Sequence, residues 1–211
     1  RLTVTAGSTL ALSTLTFGGD TSVVMEGGAT SGAKITGSAA LTLAGNVKVN
    51  DKGTGTDGAK IECPVNLGAT RTFTVADDGS SAPDLTISGI ISTGFGIVKA
   101  GAGELVLSGN NTYSGSTTIN AGTVLISASE RISNSSQIIL GGGTFSTGAT
   151  SGYSEDVGTL QLTDHSTINM GTGVHTLTFD NSSLVGWTAG KVLTISGWTG
   201  IIETFGGGDA G

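Results

Sequence analysis

The chain has 211 residues, of which 37 are glycine and only 2 proline; 12% are charged, 5% are aromatic, and the formal net charge is −7. Collagen is excluded because glycine keeps no period of three, disorder because Val, Leu and Ile recur throughout, and a phosphate-binding surface because the nine Lys and Arg are scattered. What remains is a chain of many short strands, in which glycine makes the turns and threonine takes outward positions.

Arg1-Leu2-Thr3-Val4 opens directly into a strand pattern, so a signal peptide is expected to lie outside these residues. Strand-like runs follow at Leu10–Leu12, Leu15–Phe17 and Val23–Met25, with Gly18-Gly19 and Gly27-Gly28 as turns. Apolar triplets then recur at Leu41–Leu43, Ile61–Cys63, Leu85–Ile87, Leu105–Leu107 and Val124–Ile126, at steps of about 20, 24, 20 and 19 residues. Val47–Val49, Phe73–Val75, Ile90–Ile91 and Thr117–Ile119 supply the intervening strands. Two polar stretches, Ser129–Gln137 and Ser146–Val157, are expected to protrude as loops on either side of Ile138–Leu140. Further triplets stand at Leu160–Leu162, Ile168–Met170, Leu177–Phe179 and Leu193–Ile195. The region 179–211 holds both tryptophans, Trp187 and Trp198, and is expected to cap the open end of the core. Phe205–Gly211 reads as a flexible exit segment.

A step of this length is the signature of a stacked solenoid. One coil cannot bury its own inner face, but the next coil covers it, and like side chains fall into ladders along the axis. Cys63 alternates with Ile61 and Val65 and is read as a small buried hydrophobe; being the only cysteine, it forms no disulfide within the chain. No apolar run approaches the length of a membrane-spanning helix.

Residues 96–127 read GIVKAGAGELVLSGNNTYSGSTTINAGTVLIS. Lys99, Gly101, Gly103, Leu105, Leu107, Ser108, Gly109, Asn111, Thr112, Tyr113, Gly115, Thr117, Thr118, Ile119, Gly122 and Val124 are similar to the autotransporter-associated β-strand repeat of bacterial passenger domains. That resemblance covers about a seventh of the chain. It implies a right-handed parallel β-helix exported to the cell surface or the medium, and it brings no catalytic residue with it.

Side chains capable of chemistry are sparse. Asp77-Asp78 and Glu155-Asp156 are acidic pairs, with Glu62 and Asp84 elsewhere; adjacent residues on a strand face opposite ways, and both pairs sit in Gly/Ser-rich turns. Convergence of Asp77 and Asp78 with Glu62 or Asp84 in one groove, within hydrogen-bonding reach of a ligand-sized cleft, would favour a carbohydrate-active enzyme over a scaffold. Lys48, Lys52, Lys60, Arg71, Lys99, Arg131 and Lys191 are too dispersed to nominate a catalytic base, and His165 and His175 lack a third metal ligand. Gly206–Asp209 holds a single fragment of a calcium-binding nonapeptide, and the Thr-x-Thr pairs keep no common period for an ice-binding array.

The expectation is therefore an all-β, right-handed parallel β-helix over residues 1–211, with 179–211 as cap and exit. Its function would be that of an extracellular or cell-surface scaffold without enzymatic activity. No catalytic, cofactor-binding or metal-ligating residue is nominated and no cofactor is expected. The alternative is an adhesin or glycan-binding module using Ser129–Gln137, Ser146–Val157 or the Trp187/Trp198 end; a carbohydrate-active enzyme ranks third. The partners suggested are surface glycans and, through open coil ends, further copies of the chain. Nucleic acid is not among them.

Overall fold

The computed structural model describes residues 2–12, 23–26, 32–50, 58–148 and 150–198. The predicted strand Leu15–Phe17, the turns Gly18-Gly19 and Gly27-Gly28, and the exit Phe205–Gly211 lie outside the described residues. Every strand pairing among the described residues is parallel. The strands stack as a β-solenoid.

Each coil visits its sheets in the same order. The first sheet has eight strands: Leu2–Val4, Val23–Glu26, Val47–Asn50, Arg71–Val75, Ile97–Ala100, Thr117–Ile119, Ile138–Gly141 and Leu160–Asp164. The second has nine: Thr9–Leu12, Lys34–Gly37, Ala59–Ile61, Leu85–Ile87, Glu104–Leu107, Thr123–Ile126, Thr144–Ser146, Ser166–Asn169 and Leu193–Ser196. A third side carries Leu41–Thr42, Val65–Asn66 and Ile91–Ser92; three coils later Ser154–Val157 appears and pairs with Thr176–Phe179 in a sheet of their own.

Alternation explains which residues point inward. Val23, Val47 and Phe73 are in register on the first sheet, and the ladder continues through Lys99, Ile119, Leu140 and Leu162. On the second, Ala59, Leu85, Leu105, Val124, Phe145 and Ile168 form the matching inner ladder. These residues are buried, and all but Lys99 belong to one continuous hydrophobic core.

Two details differ from the sequence reading. Leu41 pairs with Val65 on the third side, while Ile61 pairs with Ile35, so the triplets Leu41–Leu43 and Ile61–Cys63 are not equivalent positions of successive coils. The stretch Ser146–Val157 is not a free loop throughout: Ser154–Val157 is a strand with Glu155 and Val157 buried, and Ile132 and Ser136 of the other stretch are buried as well. Both readings missed the same cue, because a polar coil corner and a polar loop have the same composition.

Candidate functional site

Among the described residues, three buried polar side chains, Lys99, Asn111 and Thr117, stand in the stretch that carries the repeat, and the buried hydroxyl of Tyr113 joins them. Lys99 occupies an inward position between Phe73 and Ile119, so its stem packs in the core while its ammonium must find acceptors at the corner. It donates to the carbonyls of Ala100 at 3.0 Å, Gly101 at 2.6 Å and Ala121 at 3.1 Å. Burial pulls its pKa down to about 8, and the carboxylate of Asp84 acts in the opposite direction. Gly101 and Gly122 shape this corner with φ of 77° and 64°; a Cβ on Gly122 would stand 2.6 Å from the Lys99 Nζ.

Asn111 takes over where the third sheet ends. Its Oδ1 accepts from the Ile91 N–H at 2.8 Å and its Nδ2 donates to the Arg131 carbonyl at 2.7 Å, so one amide joins the coils on either side. Tyr113 is fully buried, and its hydroxyl is 2.7 Å from Thr117 Oγ1, which is 3.0 Å from Ser136 Oγ; Ser136 donates to the Gly115 carbonyl. Glu155 ends the series: its carboxylate accepts from the N–H groups of Arg131 at 2.8 Å and Ile132 at 2.6 Å. Burial is the main reason its pKa is pushed up to about 7, against those two hydrogen bonds, which lower it. This burial of Glu155 is not legible from composition, since Glu-Asp beside glycine and serine reads as a turn.

The predicted acidic residues do meet in part. Asp77, Asp78 and Asp84 each bring one oxygen within 4.8 Å of the others, and Asp77 and Asp84 line an open cleft of about 290 Å³ together with Ser80, Glu104 and Thr123. Glu62 is elsewhere, paired with Lys34 at 2.8 Å. Asp84 is buried and both its oxygens accept backbone N–H groups, Oδ1 from Asp78 at 3.1 Å and Oδ2 from Glu104 at 2.7 Å. Asp77 and Asp78 likewise accept from the N–H of Gly79 and of Ser80, both at 2.8 Å, the local turn bonding expected of aspartate in such loops. Burial raises the pKa of Asp84 and, with Asp84's help, that of Glu104. Chemically this is an all-oxygen, acid-rich cleft, and its three carboxylates are closer together than the roughly 5–10 Å that brackets a scissile glycosidic bond.

The remaining candidates are separate. His165 Nδ1 accepts from the Val192 N–H and His175 Nδ1 from the Tyr153 N–H, each joining two coils. Asp164, next to His165, pairs with Lys191 at 2.8 Å, which lowers its pKa. Cys63 is buried in the core and burial raises its thiol pKa, as expected of an inert residue. Trp187 and Trp198 lie in the last coil, each about half exposed; the Trp187 indole donates to the Leu160 carbonyl at the edge of the first sheet. Among the described residues no helix is long and apolar enough to cross a membrane.

Comparison with known families matches residues 97–126 to the Passenger-associated-transport-repeat. The match spans the strands that hold Lys99 and Thr117 and the connection that holds Asn111 and Tyr113, and agrees with the resemblance read from the sequence. Neither curated proteins nor solved structures give a significant match.

Proposed function

Starting from a passenger-associated repeat seated in the middle of a solenoid, we propose that the chain is a structural segment of an exported bacterial protein, displayed at the cell surface or released from it. It would act as a stiff spacer that holds other parts of its polypeptide away from the cell. One observation carries this reading: Lys99, Asn111 and Thr117 of the repeat are turned inward, and each makes a hydrogen bond to a neighbouring coil. Lys99, Asn111 and Tyr113, the groups best suited to touch a ligand, are buried and already partnered. Rigidity follows, because extension of the ladder adds buried contacts in one direction only.

The expected outcome in the cells that produce it is labelling by antibodies raised against the folded chain without permeabilisation, and loss of the protein when intact cells are treated with protease. Recovery of protease-resistant protein from the cytoplasm alone would contradict the proposal. A second reading, action on carbohydrate at the acidic cleft, draws support from the meeting of Asp77, Asp78 and Asp84. It is the weaker one, since all three are engaged by backbone N–H groups. Polysaccharide turnover abolished by Asp78→Asn, in a variant that still folds, would raise it above the first.

A further inference from the structure

Thr93 combines two features that no other described residue shares. Its backbone lies at φ 110°, and its Oγ1 is buried without a hydrogen-bond partner. The other non-glycine residue at positive φ among the described residues, Glu130 at 55°, stands in the small left-handed region open to L residues; Thr93, which is β-branched, stands well outside it. Elsewhere the corners of the coil give positive φ to glycine, as at Gly68, Gly101 and Gly122. Thr147 Oγ1 is likewise buried and unpartnered, but Thr147 is not at positive φ.

The conformation is held from both sides. Ser92, the residue before, pairs with Asn66 in the third sheet, and its Oγ donates to the Val65 carbonyl at 3.4 Å. The carbonyls of Ile91 and Thr93 accept from the N–H groups of Thr112 and Ser114, one coil on, at 2.9 and 3.0 Å. Rotation of the corner would break these bonds, so the strain at Thr93 persists. The value of φ also decides what the hydroxyl can reach. About the N–Cα bond of an L residue, Cβ stands about 120° from the carbonyl carbon, so φ 110° brings the Thr93 Cβ almost into eclipse with the carbonyl carbon of Ser92. Closing Oγ1 onto that carbon then makes a five-membered ring, whereas at helical or strand φ the side chain turns away from it.

We propose that the chain cuts itself once, between Ser92 and Thr93. Thr93 Oγ1 attacks the Ser92 carbonyl carbon; a C–O bond forms, the C–N bond breaks, and the hydroxyl proton passes to the departing nitrogen, which becomes the free amino group of Thr93. Water then hydrolyses the ester, leaving the Ser92 carboxylate and restoring the Thr93 hydroxyl. The sum is one amide bond hydrolysed by one water. Proximity and release of backbone strain favour the first step, and exposed Gly94 and Phe95 open the corner to water for the second. The two pieces stay joined, since Arg71–Val75 remains paired with Ile97–Ala100 and Leu85–Ile87 with Glu104–Leu107 across the cut.

The test is the intact mass, under denaturing conditions, of the purified 211-residue chain held at neutral pH with protease inhibitors. Expected are fragments 1–92 and 93–211, the second beginning at Thr93, with masses that sum to the intact chain plus one water. In chain still uncut, hydroxylamine attacks the ester and should speed the cut at least about tenfold, leaving a hydroxamate on Ser92. Thr93→Val keeps the shape and removes the nucleophile, so it should stay whole while its far-ultraviolet spectrum matches the parent. Should that variant not fold, the hydroxamate on Ser92 of the parent decides. A parent chain still whole after days with hydroxylamine, a cut at another bond, or folded Thr93→Val cut as fast as the parent would overturn the proposal. Antibody labelling of intact cells reads surface exposure and is indifferent to the cut.

Discussion

Two buried ionisable residues set opposite pH dependences. Glu155 has its pKa raised from 4.5 to about 7, so the folded chain binds a proton that the unfolded chain has released between those values. Its contribution to stability therefore falls as pH rises from about 4.5 to about 7. Lys99 has its pKa lowered from 10.5 to about 8, so between those values the unfolded chain holds the extra proton and stability rises with pH. Together the two groups place a stability minimum between about pH 7 and pH 8. Urea midpoints measured across pH should trace this trough, and Glu155→Gln should flatten its acidic side while leaving the alkaline side intact. A midpoint that climbs steadily from pH 5 to pH 7 would contradict the assignment.

At the scale of the coil, the third side shows how one task passes between kinds of chemistry. Backbone bridges join Leu41–Thr42, Val65–Asn66 and Ile91–Ser92; then the Asn111 amide and the Glu155 carboxylate make the connection, and backbone pairing resumes at Ser154–Val157. Asn111→Ala should therefore leave the Ile91 N–H and the Arg131 carbonyl unmatched in the interior and cost about 2–4 kcal/mol, measured by urea unfolding. Asn111→Asp keeps the acceptor but loses the donor, and should also destabilise. The alternating strands and glycine corners were legible from sequence because their period is local. The partners of Asn111 were not, since they are about twenty residues away in either direction. The inward position of Lys99 was not legible either, because its acceptors, the carbonyls of Ala100, Gly101 and Ala121, are set by the fold of the corner. The acidic cleft was half legible, Asp77 and Asp78 as a turn and Asp84 as an isolated carboxylate, whereas their meeting depends on the fold of residues 77–84.

Over the whole molecule, each coil is held by its neighbours, so stability is distributed by position along the stack. The coils from Ala59 to Ile126 have covers on both sides and strand interiors that alternate into the core. The last strands, Thr176–Phe179 and Leu193–Ser196, keep only partial burial. Hydrogen exchange should accordingly be slowest in residues 85–126 and progressively faster towards 176–196. Uniform protection along the chain would argue for a single cooperative unit instead. The spacing of the coils has a different consequence. Thr117 and Ser136 meet across 19 residues, Asn169 and Ser196 across 27, yet the ladders stay in line. Spare length is absorbed at the corners, outside the register. The fold can thus accept new sequence at a corner without repacking its interior, which makes the outer contour of the stack free to diverge while the architecture is conserved by geometry alone.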